Sequence, residues 1–361
     1  MKLYQIIIRR IILLIPVLLG VSIISFSLSH VFQDPVFSYV SPARIELVTD
    51  AQLDRIREEH HLNEPVYVRY FYYIAGLLQG DWGIAQSTGI EEPVLDVLLR
   101  RFPATIELTL FAITFAVLVG IPLGIISAVR KDTIPDHIAR IVALSGVSLP
   151  VFWLGLILQY IFAHIFPILP LVHRVENYVA SRSPLADNIL DVSIPGFGQL
   201  VIPTTGMNLI DSFFTLNFDF FISSLRCLVL PAFALSWISM ALISRMTRTS
   251  MLETLKQDYI ILARAKGLSE RVVVYKHALR NAMIPTLTVV GISFAALLTG
   301  AVLTESIFSW NGIGQWAVQA IAQSDSASIQ GFVLLSGLIY ILLNLTVDIL
   351  YTVLDPRISY D

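Results

Sequence analysis

The sequence predicts an all-α polytopic membrane protein with six transmembrane helices. Of its 361 residues, 55% are hydrophobic and 14% are charged, whereas soluble domains contain roughly 25% charged residues. The mean hydropathy is +0.73, and the apolar residues form runs of the length needed to cross a bilayer, about 20 residues. This composition excludes disordered, collagen-like and coiled-coil proteins. With Cys227 as its one cysteine, the chain cannot form an internal disulfide or a thiolate metal site.

Six apolar runs are predicted to span the membrane: 11–32, 103–129, 138–166, 222–246, 283–308 and 331–354. The first run follows Arg9 and Arg10, as the apolar part of a signal peptide would. It is longer than the apolar part of such a peptide, however, and no clear Ala-x-Ala cleavage site follows it. We therefore expect an uncleaved membrane anchor.

Basic residues are unevenly distributed among the segments between these runs. Residues 1–10, 130–140, 247–281 with Arg245, and the C-terminal tail hold 15 of the 24 basic residues but only 7 of the 27 acidic ones. The segment 309–330 contains no lysine or arginine. Because basic residues near the ends of spans stay on the cytoplasmic side, both termini are predicted to be cytoplasmic.

Two segments on the opposite side are too long to be simple connections, and they define the predicted organisation. Residues 1–32 form the N-terminal tail and first span, 33–102 an extracytoplasmic segment with a helical pattern near residues 50–61, and 103–361 the core transmembrane domain, which includes the loop 247–281. A second extracytoplasmic insert, 167–221, contains turn-forming Ser-Pro and Pro-Gly pairs. Its aromatic end, 213–221, is expected either at the membrane interface or packed within the insert.

The loop 247–281 is the longest cytoplasmic segment and is strongly basic. Good helix formers from 253 to 265 place Leu255, Tyr259, Leu262 and Ala263 on one predicted helical face. Gly267 is placed where that helix would end, and a second helix is predicted over 269–282 with Ser269 as its N-cap. Such a basic helical hairpin would either dock into a cleft of a soluble partner or lie on anionic lipid. The physical pattern alone leaves both interpretations open.

Motifs along most of the chain resemble the dipeptide/oligopeptide/nickel permease family of ABC importers. The stretch ARAKGLSERVVVYKHALRNAMIPTL (263–287) closely resembles the family's EAA loop. RRIILLIPVLLGVSIISF (9–26), the segment 61–83 ending in QGDWG, TESIFSWNGIGQW (304–316) and NLTVDILYTVLDPRI (344–358) are similar to further family elements in the same order. Departures from the family pattern lie at 33–35, Asn311, 324–328 and in the long insert 167–221. All four are extracytoplasmic in the predicted topology.

This resemblance implies the type I ABC importer permease fold and a transport role without enzymatic activity. The implied partners are a second, related permease, two cytoplasmic ATPases that hold ATP and Mg²⁺, and an extracytoplasmic solute receptor. No cofactor is expected on this chain, which has no phosphate-binding G-x-x-x-x-G-K-[ST] loop. Peptides are the substrate class that the family implies, with nickel and oligosaccharides as alternatives.

The resemblance also assigns ATPase coupling to the loop 247–281. Ala263 and Ala265 would permit close approach to the ATPase and Gly267 would form the turn. The full set of predicted coupling residues is Asp258, Tyr259, Ala263, Arg264, Ala265, Lys266, Gly267 and Leu268. A secondary carrier or channel that works without an ATPase is the rival class, and a membrane scaffold is a third. A carrier usually has more ionisable residues within its spans.

Three further features have competing interpretations. Asn344 and Asp348 are four residues apart on the last span and are predicted to face the bundle interior, either as structural hydrogen-bonding groups or beside the translocation path. Gly120 and Gly124 permit close helix contact, within this chain or with a second permease. The pair His60 and His61 lacks the spacing of metal ligands, so we expect solvated side chains.

Overall fold

The computed structural model of this chain describes residues 3–32, 36, 39–40, 48–89, 91–176, 189–194, 198–203 and 205–354. The described chain is mainly helical. Its α-helices are α1 (Leu3–Phe32), α2 (Asp50–Glu59), α3 (Val66–Gln79), α4 (Val94–Val129), α5 (Ile134–Ser148), α6 (Val151–Gln159), α7 (Asn208–Phe214), α8 (Phe218–Thr254), α9 (Asp258–Ala265), α10 (Glu270–Val272), α11 (Leu279–Gly300), α12 (Val302–Phe308), α13 (Ile313–Ala322) and α14 (Ser326–Leu354). Two π-helical segments, Tyr160–Ile165 and Val273–Ala278, continue α6 and α10.

Two short antiparallel sheets accompany the helices. β1 (Ile84–Ala85) pairs with β2 (Glu92–Pro93), and β3 (Ile189–Ile194) pairs with β4 (Gly198–Pro203). The second pair lies in the insert 167–221, which also contains the seven-residue helix α7 and the first four residues of α8. The described part of the insert therefore agrees with the expectation of turns and short elements. The predicted helix near residues 50–61 is confirmed as α2.

The chain divides into two compact units. The first comprises Thr105–Trp310 and Leu343–Asp361 with Met1, and the second comprises Lys2–Ala104 and Asn311–Leu342. In the second unit, the buried core includes Val97, Leu98 and Trp316. The buried Asp325 carboxylate accepts hydrogen bonds from the backbone N–H groups of Gln86 and Ser87, both at 2.8 Å. These bonds fix the β1 segment to the start of α14.

Glycines in the first unit let α8 approach its neighbours closely. A Cβ atom on Gly124 of α4 would lie 2.6 Å from Cβ of Thr247 and 2.7 Å from the backbone oxygen of Ser244. A Cβ atom on Gly146 of α5 would lie 2.4 Å from Cβ of Ala241. Side chains larger than hydrogen do not fit these contacts. The Gly120/Gly124 pattern therefore serves packing within this chain, one of the two interpretations left open by the sequence.

Among the described residues, four helices are long and apolar enough to cross a membrane: Val94–Val129, Phe218–Thr254, Glu270–Gly300 and Ser326–Thr346. A fifth candidate is the pair Ile134–Ser148 and Val151–Ile165, which is bent by 107°. The described side chains of α1 contribute a shorter apolar helix, Ile12–Ser27. Each of the six predicted runs thus falls on helical structure.

The third run, 138–166, was wrongly predicted as one continuous span. The chain leaves the helical conformation at Leu149 (φ −89°, ψ 126°) and Pro150 (φ −62°, ψ 133°). A residue that precedes proline is sterically pushed out of the α conformation, so α5 ends there and α6 starts in a new direction. The fifth run, 283–308, is also divided, because α11 ends at Gly300 and α12 begins at Val302.

We predict that Gly124→Ala destabilises the protein. The added methyl group would collide with Thr247 and with the Ser244 backbone, and overpacking of this kind costs about 1–3 kcal/mol. Thermal unfolding of the purified protein in mild detergent measures the effect. Gly300→Ala is the matched control, because a Cβ atom there meets nothing within 4 Å. Equal melting temperatures for the two variants would contradict the close packing of α4 on α8.

Candidate functional site

The loop 247–281, predicted to be cytoplasmic, begins with a change of helix direction that the sequence did not reveal. Glu253 and Thr254 still belong to α8, residues 255–257 form a turn, and α9 starts at Asp258 after Gln257, whose backbone is extended (φ −72°, ψ 145°). The prediction of one helix over 253–265 was therefore wrong at residues 255–257, and Glu253 and Thr254 belong to the preceding helix. Good helix formers on both sides of the turn conceal it.

The inner face of α9 packs against other helices of the first unit. Ile260 is fully buried and Ala263 is 7% exposed. Both belong to an apolar cluster that joins the C-terminal ends of α4 and α8 to the segment after α10. Its buried members are Ile125, Ala128, Met251, Ile260, Ala263, Val273, Val274, Ala278 and Ala282. The predicted apolar face was thus partly wrong, since Tyr259 and Leu262 are exposed. Ala263 contacts the chain's own core, which corrects its expected position on the docking surface.

The outer face of α9 is exposed and partly apolar. Ile261 and Leu262 are 56% and 55% exposed. The sequence-predicted residues that share this exposed surface are Asp258, Tyr259, Arg264, Ala265, Lys266, Gly267 and Leu268. Tyr259 is held in place by Asn281, whose Nδ2 donates a hydrogen bond of 2.6 Å to the Tyr259 hydroxyl oxygen. The helix therefore presents a combined apolar and charged surface on a fixed support.

Gly267 makes the turn after α9, as predicted. Its φ of +78° is a left-handed conformation that residues with a Cβ atom rarely adopt. Its N–H donates to the backbone oxygen of Arg264 at 2.9 Å. Across the turn, the Arg264 guanidinium contacts both carboxylate oxygens of Glu270, at 2.6 and 3.1 Å. This exposed ion pair contributes at most about 1 kcal/mol, so it orients the turn more than it stabilises the protein.

The second half of the loop is continuous with the next apolar helix. Ser269 occupies the predicted N-cap position with an extended backbone, although its side chain makes no cap hydrogen bond. Helical structure then runs without a break from Glu270 to Gly300. The separate helix predicted over 269–282 is instead the first part of this longer helix. Along the chain, α9 therefore lies between two long helices, α8 before the loop and the helix Glu270–Gly300 after it.

A buried carboxylate near the loop joins three helices, and the sequence did not reveal it. Asp136, in the first turn of α5, is 0% exposed. Its Oδ1 accepts from Nε of Arg248 on α8 at 2.9 Å, its Oδ2 accepts from Nη2 of the same guanidinium at 3.1 Å, and Ser127 on α4 donates its hydroxyl to Oδ1. The backbone N–H of Asp132 and the Arg140 guanidinium complete its partners. We name Asp136, Arg248 and Ser127 the inner clamp.

Two further acidic residues are buried and hydrogen-bonded: Glu107, near the start of the run 103–129, and Glu305, near the end of the run 283–308. Glu107 contacts Nη2 of Arg174 at 2.6 Å and accepts from the Leu209 backbone N–H at 2.7 Å. Glu305 accepts a hydrogen bond of 2.6 Å from the Thr105 hydroxyl. Arg174 was missed because it lies in the insert, 67 residues from its partner. Its pairing ties the described start of the insert to α4.

The remaining predicted polar groups lie elsewhere. Asn344 is half-buried on α14, and the side chain of Asp348 lies outside the described residues, so the predicted position of both side chains in the bundle interior stays a prediction. His60 stacks on Tyr39 and His61 stacks on Tyr72, with ring centroids 3.7 and 4.1 Å apart. Within the described residues, no group of three or more His, Cys, Asp or Glu side chains could hold a metal ion.

The comparison with known families covers nearly the whole chain. Residues 120–360 match the family described as binding-protein-dependent transport system inner membrane component. Residues 3–109 match the N-terminal family of the same transport-system membrane components. The first match alone includes more than half of the chain, the loop after α8 and the inner clamp.

Curated relatives align from end to end. The chain is 42% identical over 355 residues to the dipeptide transport system permease protein DppB of Alkalihalophilus pseudofirmus, with 98% of each chain covered. It is 41% identical over 357 residues to the protein of the same name from Escherichia coli strain K12, with 99% of each covered. It is 33% identical over 359 residues to the oligopeptide transport system permease protein AppB of Bacillus subtilis strain 168, covering 98% of this chain and 99% of that one.

These matches agree with the apolar helices and with the exposed loop helix α9. The chain is a multi-pass membrane protein, and it belongs to the family of binding-protein-dependent transport system inner membrane components.

Proposed function

We propose that this chain is a peptide-conducting permease subunit of an ATP-driven importer, and that α9 is its contact with an ATPase. The observation that carries the proposal is the asymmetry of α9. Its Ile260 and Ala263 side is buried in the protein's own core, while Ile261 and Leu262 are more than half exposed. Large apolar side chains exposed on a fixed helix are typical of a protein interface. Peptides are proposed as the substrate because the aligned relatives carry dipeptide and oligopeptide transport in their names.

The proposed topology has six spans with both termini in the cytoplasm. The distribution of basic residues supports this orientation, and the bent pair α5 and α6 is taken as one broken span. The segments 33–102 and 167–221 then lie outside the cell, where they are available to a solute receptor. We keep the division predicted from the sequence into residues 1–32, 33–102 and 103–361.

The proposed assembly contains three further kinds of protein. A second, related permease completes the translocation path, two ATPases bind below the membrane, and a solute receptor delivers the peptide from outside. ATP and Mg²⁺ are bound by the ATPases, so this chain conducts solute and catalyses no reaction. Asn344 and Asp348 are retained as proposed polar groups of the bundle interior.

The proposed mechanism is a population shift between two arrangements of the bundle. ATP binding closes the ATPases and displaces α9, and the core shared by α9, α4 and α8 carries the displacement into the spans. A ligand biases such an equilibrium only by its differential affinity for the two states. The ATPase surface therefore has to contact α9 differently in its open and closed forms.

We predict that Ala265→Trp abolishes uptake without preventing membrane insertion. Ala265 is exposed at the C-terminal end of α9, and a large ring there would keep the ATPase surface from close contact. Uptake of a labelled dipeptide into proteoliposomes that contain the complete transporter measures the effect. Ala265→Ser, which adds a single oxygen atom, is the control and should transport normally. Uptake by the tryptophan variant at the normal rate would contradict the assignment of this surface.

We predict that Gly267→Pro blocks uptake and that Gly267→Asn largely preserves it. Proline fixes φ near −65°, so it cannot adopt the observed +78°, and it also removes the N–H that bonds to Arg264. Asparagine tolerates the left-handed conformation better than other residues with a side chain. Comparison of uptake by the two variants, after equal membrane expression is verified, is the measurement. Equal uptake would show that the turn geometry is unimportant.

We predict that the chain alone transports nothing. Reconstituted into liposomes without an ATPase, it should show no dipeptide flux under a proton or sodium gradient. Flux should appear when the second permease, the ATPases, the receptor and ATP are added. Gradient-driven uptake by the chain alone would identify a secondary carrier instead. No uptake with all partners, although the receptor binds the dipeptide, would indicate a different substrate or a scaffold.

A further inference from the structure

The exposed outer face of α9, with Ile261, Leu262 and Ala265, is called the coupling surface. The inner clamp lies near the ends of the helices that support it. Ser127 is two residues from Val129, where α4 ends, and Arg248 is ten residues before Asp258, where α9 starts. The same ends of α4 and α8 provide Ile125, Ala128 and Met251 to the apolar cluster that supports α9. Two of the three helices that share the buried carboxylate, α4 and α8, thus also contribute to the cluster that supports α9.

The chemistry of the clamp makes sliding between these helices costly. Both Asp136 oxygens contact the Arg248 guanidinium, which is a planar, two-point contact with a defined orientation. A carboxylate with no exposed surface has lost its hydration, and separation from Arg248 would leave Arg140 of its own helix as its remaining cation, at a cost in free energy. The position of Asp136 in the first turn of α5 adds a favourable interaction with the helix dipole. The three helix ends therefore either move together or lose these contacts at a cost in free energy.

Glycine contacts further along the same helices also hold α4 and α5 against α8. Gly124 brings α4 against Ser244 and Thr247 of α8, and Gly146 brings α5 against Ala241 of the same helix. Close glycine contacts fix the distance between helices but resist sliding only weakly, because they contain no directional bond. The clamp supplies the directional bond at the end of the bundle that receives the force.

We propose that Asp136 is a positioning residue for transport, which makes α4, α5 and α8 follow α9 as one body. This inference rests on the proposed role of α9 as the ATPase contact. In the absence of the clamp, α9 would still bind the ATPases and permit ATP hydrolysis. The motion of α9 would then be absorbed by slippage between α4, α5 and α8, and peptide transport would fall.

The test is the number of peptides transported per ATP hydrolysed, measured in proteoliposomes with the complete transporter. Asp136→Asn keeps the shape of the side chain but removes its charge. We expect this ratio to fall at least tenfold while receptor-stimulated ATP hydrolysis stays within about twofold of the original. Glu253→Gln is the control on the same helix as Arg248, because Glu253 is exposed and is not part of the inner clamp. It should leave the ratio unchanged.

A second variant separates positioning from simple stability. Asp136→Asn combined with Arg248→Met removes both buried charges, which often restores the stability lost when one member of a pair is removed. We expect the double variant to regain its melting temperature but to keep the low ratio of transport to hydrolysis. Recovery of the normal ratio along with stability would overturn the proposal, because Asp136 would then be needed only for folding.

The outcome for this residue can be distinguished from the outcome for the coupling surface. If Ala265→Trp abolishes uptake and Asp136→Asn preserves the ratio, the inner clamp has no positioning role although the ATPase contact stands. If Ala265→Trp leaves uptake intact, the proposed ATPase contact itself fails. A single-variant protein that does not fold leaves the double variant as the deciding measurement.

Discussion

The pairing of the buried Asp136 carboxylate with Arg248 is the interaction that joins the ends of α4, α5 and α8 in the first unit. A carboxylate without solvent contact is stable only where its partners replace the lost water, and here those partners come from α4, α5 and α8. The requirement fixes three helix ends in one arrangement. Because α9 packs on two of those ends, the position of the exposed loop helix is determined by a charge that lies inside the protein.

The loop helix combines two properties that a soluble surface helix seldom has together. Ile260 and Ala263 attach it to the core, whereas Ile261 and Leu262 leave an apolar surface exposed between charged residues. Attachment alone would transmit force but offer no contact, and exposure alone would offer a contact on a mobile support. Gly267 ends the helix in a conformation that returns the chain directly into the long helix Glu270–Gly300. Force applied at α9 thus enters both flanking helices.

Hydropathy located all six apolar runs and the basic loop, because burial in lipid leaves a strong signal in composition. It did not reveal the break at Leu149–Pro150, since apolar residues continue through it and only the proline marks it. The face of α9 was partly misassigned because a helix at a membrane surface has two apolar sides. Asp136 and Arg248 are 112 residues apart, and spacing within one sequence contains no record of such a pair. The close approach permitted by Gly124 was foreseen, but its partner could be identified only in three dimensions.

The most direct test of the account is a distance measured inside the working transporter. Spin labels on Gln257→Cys, next to the start of α9, and on Ile141→Cys of α5 would be placed on exposed positions outside the proposed ATPase contact, and the native Cys227 is buried. Pulsed electron paramagnetic resonance then gives the distance between α9 and α5 with and without ATP. The account predicts the same distance distribution in both states, because the two helices move as one body. A clear change of this distance upon ATP binding, in a transporter that still takes up peptide, would contradict it.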